Sequence, residues 1–180
     1  MHWFPIAVGS LQAVTMLRQQ DERNIRFAQA YEIAQKSGRP LLVVGAPSYM
    51  SPFRGHPCGD ITLDISEDVA RQCPEGFIIA DVREIPFPDS YFGAAFCSHV
   101  LEHLSSREDI LRAWNELNRV SGGNALIAGP SRLGLWNWVI PEHSMFVTQN
   151  DKGNLEIDSP ISPVERLGAV GIALAALALR

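Results

Sequence analysis

The sequence predicts an α/β fold in which helices flank a mostly parallel β-sheet. Short runs of aliphatic and β-branched residues recur along the chain and end at glycine or a polar residue, as the buried strands of parallel sheets do. Between two of these runs, an amphipathic helical pattern covers residues 108–120. A chain of 180 residues can bury one sizeable core, so the pattern indicates a single sheet-centred domain.

Two helices are expected before the sheet. The first covers residues 5–19, and the second begins at Asp21, a favourable N-cap residue, and ends before Gly38. Residues 1–38 are therefore expected to form an N-terminal helical segment. Residues 39–160 would then form the α/β domain, and residues 161–180 an apolar C-terminal helix.

The first connection within the sheet is predicted to be short. Residues 41–45, LLVVG, are typical of a first buried strand, and residues 61–65, ITLDI, of a second. The intervening stretch of about fifteen residues contains Pro47, Pro52 and Pro57. Because a crossover with a full helix and its turns needs more chain, we expect a shortened helix or a loop here.

The later elements follow from the same kind of pattern. Two more apolar runs end at Asp81 and at Cys97, and Gly122 stops the helical pattern that follows. Ser162 and Glu165 form a capping box, which predicts the start of a last helix. In chain order we expect strands at 77–80 and 94–97, a helix at 108–120, a strand at 124–130, a hairpin from 145–149 and 154–157, and a helix at 163–180.

Composition argues against a nucleic-acid partner and against a disulfide framework. The formal net charge is −5 without any basic run, whereas proteins that bind a phosphate backbone present a basic face. The three cysteines, Cys58, Cys73 and Cys97, are odd in number and lack C-x-x-C spacing, so neither disulfides nor a structural zinc site is expected. No cleaved signal peptide is recognisable at the N-terminus. These features favour a cytoplasmic protein.

The most informative segment is residues 78–104, IIADVREIPFPDSYFGAAFCSHVLEHL. Asp81 and His99 follow two strands, and open α/β sheets bind ligands outside the carboxyl ends of their strands. The segment resembles the central motif of class I S-adenosylmethionine-dependent methyltransferases (methyltransferase type 11-like), in the branch that reads roughly "aD…lPF.d..FD.v..shvLEHl". The match is nearly continuous over about twenty-five residues. It implies a Rossmann-like methyltransferase fold and S-adenosylmethionine as cofactor.

The resemblance also implies cofactor-binding positions. In this family a glycine turn after the first strand approaches the methionine moiety, an acid after the second strand holds the ribose hydroxyls, and an acid after the third meets the adenine edge. Carboxylates suit the last two roles because hydroxyls and an exocyclic amine are donors. The corresponding cofactor-binding residues in this chain are Gly45, Asp64, Asp81, Val82, Cys97 and Ser98.

The glycine motif departs from the family pattern. Family members show an acid followed by glycine, any residue and glycine, whereas this chain has a single glycine, Gly45, and then Pro47. Proline removes a backbone donor and fixes φ, so the loop offers fewer amide groups to a ligand. This departure keeps a second hypothesis open, in which the fold is retained without catalysis.

Residues 99–103 also match H-x-x-E-H, the motif of inverted zinc peptidases. On one helix, His99 and His103 would share a face and could hold a metal together with a later carboxylate. The methyltransferase pattern explains the same letters without zinc, so no metal is expected at this motif. Instead, His99 and His143 are the candidate bases for an acceptor that carries a proton.

The chain ends are unusually apolar. Residues 167–179 contain no polar side chain, and an apolar run of about 15 residues at the N-terminus is interrupted by Ser10 and Gln12. A spanning helix needs ~20 apolar residues, so neither segment predicts a transmembrane helix. A helix that is apolar on all faces must nevertheless be covered. We therefore expect a protein partner, a membrane surface or the protein's own core against the terminal helices.

Two functions remain open from the sequence. The first is methyl transfer from S-adenosylmethionine to an unidentified small-molecule or protein acceptor, and the second is a catalytically inactive accessory or structural subunit, for example of a membrane complex. Asp64, Asp81 and His99 favour the first hypothesis. The reduced glycine motif and the apolar ends favour the second.

Overall fold

The computed structural model describes residues 3–45, 58–67, 76–132, 134, 137–138 and 143–178. The expected short first crossover, including Pro47, lies outside these residues. The described elements are α1 (Trp3–Ser37), β1 (Leu41–Val44), β2 (Ile61–Asp64), β3 (Phe77–Ile79), β4 (Ala94–Ser98), a 3-10 helix (Leu101–His103), α2 (Arg107–Ser121), β5 (Ala125–Ala128), β6 (Val147–Gln149), β7 (Leu155–Ile157) and α3 (Pro163–Ala178).

The central sheet confirms the predicted fold class. Its five strands have the order β3-β2-β1-β4-β5, and every neighbouring pair is parallel. Val44 at the end of β1 is in register with Leu63 on one side and Cys97 on the other. The carboxyl ends of the three central strands therefore lie level with one another. The chain reverses its winding direction between β1 and β4, where a ligand crevice is expected in such sheets.

The N-terminal helix corrects one prediction. Residues 5–19 and 21–37 were expected to form two helices, but α1 is a single helix from Trp3 to Ser37. Residues 10–37 contain no glycine or proline that would end a helix. A favourable N-cap residue such as Asp21 therefore does not start a new helix here. The side chain of Gln20 instead donates to Asn24 one turn later, with Nε2 2.9 Å from Oδ1, across the expected break.

The two faces of the sheet are covered by different elements. Alternate residues of β1 and β4 point to opposite faces, as the period of a strand requires. On one face Leu41, Val43 and Phe96 pack against Ala30 and Ala34 of α1. The other face is packed by α2 and by residues from the hairpin; its buried members include Leu42, Val44, Ala95, Cys97, Ile110, Leu117 and Val147.

A short antiparallel hairpin, β6 and β7, covers the free edge of β5. The buried side chain of Gln149 accepts from the backbone NH of Ile127 at 3.2 Å and donates to the carbonyl of Ala125 at 2.9 Å. Arg26 of α1 also donates to the carbonyl of Gln149, with Nη2 2.8 Å from the oxygen. One glutamine thus meets the backbone groups of an edge strand that would otherwise remain open.

The last helix begins as predicted. The side chain of Ser162 accepts from the backbone NH of Glu165 at 3.3 Å, and Glu165 Oε2 lies 2.8 Å from the NH of Ser162, which is the expected capping box. Arg166 then anchors the helix by donating to the carbonyl of His143. Within the part of the chain that the structure describes, no helix is both long and apolar enough to cross a membrane.

The cysteine prediction needs a correction. Cys58 is disulfide-bonded, whereas Cys97 is free and buried. An odd cysteine count excludes complete pairing, but it does not exclude one bridge with one cysteine left over. The preference for a reducing compartment therefore does not follow from the count.

Candidate functional site

The candidate site is a cleft at the carboxyl edge of the sheet. Its volume is about 340 Å³. It opens where β1, β2 and β3 end and where the segment after β4 turns away. The cleft is lined by Val44, Gly45, Leu63, Asp64, Ile65, Ala80, Asp81, Val82, Arg83, His99, Val100, His103 and Leu104.

Gly45 allows the ends of β1 and β4 to come close together. Its φ is 83°, in the left-handed region, and its NH donates to the carbonyl of Leu63 at 3.0 Å. A Cβ atom at this position would lie 2.5 Å from the carbonyl oxygen of Ser98 and 2.6 Å from Val100 Cγ2. Glycine is thus required both by its backbone conformation and by the neighbouring strand end.

Two acids, Asp64 and Asp81, line the cleft. Asp64 ends β2, and its Oδ1 accepts from the NH of Ser66 at 2.9 Å. Asp81 is held by Arg83: its Oδ1 accepts from the Arg83 NH at 2.8 Å, and its Oδ2 lies 2.6 Å from Arg83 Nη2. The hydrogen bond from the Arg83 side chain is the main reason that the pKa of Asp81 lies below its ordinary value. Asp81 is therefore an ionised acceptor.

His99 connects the cleft to α1 and to a buried acid. It adopts the left-handed region with φ 53°, although it is not glycine. Its Nδ1 lies 3.0 Å from Glu102 Oε1, and its Nε2 lies 3.1 Å from Nη2 of Arg23. Because arginine only donates and an ionised carboxylate only accepts, the geometry assigns the neutral tautomer with the proton on Nδ1. Both ring nitrogens are engaged in this state.

Glu102 is buried, with 1% of its surface exposed. Burial alone raises the pKa of its carboxyl group, but the hydrogen bond from His99 and the interactions with His99 and His103 outweigh burial and hold the pKa below its ordinary value. A buried carboxylate without such partners would be costly. Glu102 thus fixes the orientation of the His99 ring.

The second candidate base, His143, does not line the cleft. It is 5% exposed, and its Nδ1 donates to the backbone carbonyl of Asn137 at 3.0 Å. Burial lowers the pKa of His143, so its neutral form is favoured. Its ring stands edge-on to that of His103, with 5.0 Å between the ring centroids. Of these two histidines, His103 lines the cleft. The sequence did not indicate a part for it in the chemistry.

Two expected cofactor residues have side chains elsewhere. Cys97 packs in the core beneath the cleft, and burial raises the pKa of its thiol. Ser98 is 5% exposed and does not line the cleft. Gly45, Asp64, Asp81, Val82 and His99 do line it. Successive side chains of a strand point to opposite faces of the sheet, so those of Cys97 and Ser98 leave β4 on different faces.

Arg23 and Arg83 are site residues that sequence reasoning missed. Arg83 follows Asp81 closely, so a local ion pair could have been expected from the motif itself. Arg23 lies 76 positions before its partner His99, and no sequence pattern links the two.

The zinc-peptidase motif at residues 99–103 requires His99 and His103 to share one face of a helix. In the structure only Leu101–His103 of this motif are helical, and His99 precedes them in a left-handed conformation. The shared helix face is therefore excluded.

Together the sheet order and the cleft define a class of protein. A parallel sheet with a glycine after β1 and acids after β2 and β3 is an α/β domain built to bind a cofactor with ribose hydroxyls at its carboxyl edge. Residues 45–127 match the family model described as "Methyltransferase domain". Over this stretch the chain is similar to class I S-adenosylmethionine-dependent methyltransferases, and the match supports S-adenosylmethionine as the cofactor.

The chain also matches solved structures at low similarity. One is the PH0226 protein from Pyrococcus horikoshii OT3, at 17% identity and a TM-score of 0.43, covering 83% of this chain and 80% of that one. Another is 1,6-didemethyltoxoflavin-N1-methyltransferase from Burkholderia thailandensis with bound 1,6-didemethyltoxoflavin and S-adenosylhomocysteine, at 13% identity and a TM-score of 0.36, covering 96% of this chain and 78% of that one. No curated protein sequence matches the chain.

Proposed function

We propose that the protein transfers the methyl group of S-adenosylmethionine to a small-molecule or protein acceptor that enters beside His99. The observation that carries the proposal is the grouping of Gly45, Asp64, Asp81 and His99 around one cleft at the carboxyl edge of the sheet. The cleft of about 340 Å³ has a volume typical of small-ligand sites. The match to the methyltransferase domain model supports S-adenosylmethionine as the methyl donor.

The two acids provide the acceptors that the cofactor needs. In the proposed complex Asp64 accepts from the ribose hydroxyls and Asp81 from the exocyclic amine of adenine. Asp81 already carries Arg83, but a carboxylate has about four lone-pair sites and can accept from both. Gly45 leaves the end of β1 open for the methionine part of the cofactor.

The reaction itself is an in-line displacement. A lone pair on the acceptor attacks the methyl carbon, the bond from that carbon to sulfur breaks, and its electron pair stays on sulfur. Positioning supplies much of the catalysis in such a step, and a base is needed only where the acceptor atom carries a proton. In the proposed reaction His99 takes that proton at Nε2 after the acceptor has displaced Arg23 from this nitrogen.

Calorimetric titration with S-adenosylmethionine and with its demethylated product tests this proposal. We expect binding to the unaltered protein, and Asp64→Ala should weaken it by about 1–3 kcal/mol, because the ribose donors lose their acceptor. Asp151→Ala is the matched control, since Asp151 is exposed at the hairpin turn far from the cleft in the sequence. Equal affinities in the two folded variants would place the ribose site elsewhere.

Absence of binding at millimolar ligand would favour the second hypothesis, a methyltransferase fold that serves as an accessory subunit. The exposed apolar side chains of α3 supply the surface for such a role. Val164 and Leu167 are 78% and 71% exposed, while the helix is anchored to the domain through Arg166. We propose that a protein partner or a membrane surface covers this helix, whether or not catalysis is retained.

A further inference from the structure

Glu102, His103 and His143 form a cluster of metal-ligand side chains beside the cleft. One ligand atom from each lies within 4.8 Å of the other two. Two imidazole nitrogens and one carboxylate oxygen are a donor set that binds zinc and similar divalent transition metals. We propose that these three residues form a binding site for one such ion, with zinc as the first candidate.

The protonation of the cluster fits a metal site. Nδ1 of His143 donates to the backbone carbonyl of Asn137 at 3.0 Å, so its Nε2 carries the free lone pair. Metal-binding histidines are commonly oriented in this way, by donating the other ring NH to a carbonyl or a carboxylate. Glu102 Oε1 accepts from His99 Nδ1 at 3.0 Å, so the carboxylate is also oriented by a neighbour. Two of the three ligands are therefore held in place.

The backbone holds the two ligand segments together. The NH of Ser144 donates to the carbonyl of Glu102 at 2.8 Å, and its hydroxyl donates to the same oxygen at 3.1 Å. These bonds join the residue after His143 to the 3-10 helix that carries Glu102 and His103. Bound geometry at a metal site is precise only when supporting contacts of this kind restrain its ligands.

The buried carboxylate of Glu102 gives an electrostatic reason for a metal ion at this cluster. Glu102 is 1% exposed, and its direct contact is His99, which the hydrogen-bond pattern assigns as neutral. The cation Arg23 bonds to the far nitrogen of His99 at 3.1 Å and interacts with the carboxylate from a longer distance. A buried charge is stabilised by a paired charge or by a metal ion. A divalent ion on Glu102 would provide that charge.

The exposure of the ligands indicates where the ion would be open to a substrate. Glu102 and His143 are buried, whereas His103 is exposed and lines the cleft. Three protein ligands leave a fourth position free in tetrahedral geometry, as in catalytic zinc sites. An acceptor heteroatom bound there would lose its proton to water more readily and become a better nucleophile. This role rests on the proposed function, whereas metal binding does not.

Titration of chelator-treated, tag-free protein with zinc sulfate, and separately with cobalt chloride, tests the proposal. We expect one zinc ion per chain and a visible cobalt spectrum of low coordination number. His103→Ala, which alters an exposed residue, and His143→Gln, which keeps a donor for the Asn137 carbonyl, should each lower zinc affinity. The loss should exceed the roughly 10–100-fold that removal of an outer partner costs.

Glu102→Gln should also lose zinc, and Glu108→Gln on α2 is its matched control, because Glu108 is an exposed acid outside the cluster. Near-ultraviolet circular dichroism of the metal-free variants verifies that each is folded. No stoichiometric zinc in the unaltered protein, or equal zinc affinity in folded His103→Ala, would overturn the proposal. Titrating the same samples with S-adenosylmethionine separates the two ideas, since either ligand can bind without the other.

Discussion

Gly45 is a residue of the cleft whose replacement the structure resists for two reasons. A side chain there meets two separate obstacles, a left-handed φ of 83° and the carbonyl oxygen of Ser98 at 2.5 Å from the added Cβ. Gly123 meets only the first, because its φ is 88° and nothing lies within 4 Å of an added Cβ. Comparing substitutions at Gly45 and Gly123 therefore separates the cost of the left-handed backbone from the cost of steric overlap.

We predict that Gly45→Ala lowers the free energy of unfolding by clearly more than Gly123→Ala. The backbone contribution is about 1–2 kcal/mol in both variants, since an L-residue pays that cost in the left-handed region. The overlap with Ser98 and Val100 adds to it only at Gly45. Urea unfolding of both variants measures the difference, and equal losses would show that the ends of β1 and β4 can separate without cost.

His99 illustrates how a local motif acquires a distant partner. Its bond to Glu102 spans three positions, whereas its bond to Arg23 spans 76. We predict that Arg23→Met leaves His99 able to accept a proton without prior displacement of the guanidinium. Methyl transfer should then show a lower KM for the acceptor, with an unchanged dissociation constant for S-adenosylmethionine. A raised KM would instead indicate that Arg23 contacts the acceptor itself.

At the scale of elements, Arg119 of α2 makes several bonds to the segment between β3 and β4. Arg119 donates to the carbonyls of Phe87 and Ile85 at 2.8 and 3.0 Å, and it pairs with Glu116 at 2.7 Å. Glu116 Oε2 in turn accepts from the NH of Ile85 at 2.9 Å. The chain at Ile85 and Phe87, a few residues after Asp81, is thus bonded to Arg119 and Glu116 of α2.

We predict that Arg119→Met destabilises the protein by about 1–3 kcal/mol, because several hydrogen bonds to a charged group are lost together. Arg112→Met on the same helix is the control, since Arg112 is 63% exposed and makes one hydrogen bond to the Arg83 carbonyl. Thermal unfolding compares the two variants. A smaller loss in Arg119→Met than in Arg112→Met would contradict the fastening role.

The same pair predicts a dependence on pH. The hydrogen bond from Arg119 is the main reason that the pKa of Glu116 lies below its ordinary 4.5. A carboxyl group with a lowered folded-state pKa contributes stability that is complete above about pH 4.5 and is lost as the pH falls through the folded-state value. Stability curves should therefore fall less on acidification in Arg119→Met than in the unaltered protein, and parallel curves would contradict this linkage.

At the scale of the whole molecule, α3 presents apolar side chains that the described fold does not cover. Leu167 and Ile172 are 71% and 46% exposed, while Ala169 on the same helix is 7% exposed. Burying a Leu or Ile side chain contributes about 1.5–3 kcal/mol, so this surface favours association. The capping box and Arg166 keep the helix formed and attached to the domain.

We predict that Leu167→Gln together with Ile172→Gln reduces self-association and binding to lipid vesicles without lowering the melting temperature. Ala169→Gln is the control and should lower it, because that side chain is buried. Sedimentation velocity and vesicle flotation provide the measurements. If the double variant melts as low as Ala169→Gln, the protein's own core covers the helix and the partner-or-membrane proposal is wrong.

The sequence by itself determined most of the elements and the resemblance to a family. The five strands were predictable because a buried strand needs a short apolar run, and α2 and α3 because their caps and periodicity are local. The motif around Asp81 and His99 placed both residues at strand ends and pointed to the methyltransferase family. Each of these features depends on residues close together in the chain.

Only the tertiary structure decided which side chains meet. The contact between Arg23 and His99 and the grouping of Glu102 and His103 with His143 depend on how distant segments pack. The disulfide at Cys58 is of the same kind, since the count of cysteines constrains pairing but does not choose it. Local periodicity carries no information about such contacts, because they arise where the ends of separate strands and helices converge on one edge of the sheet.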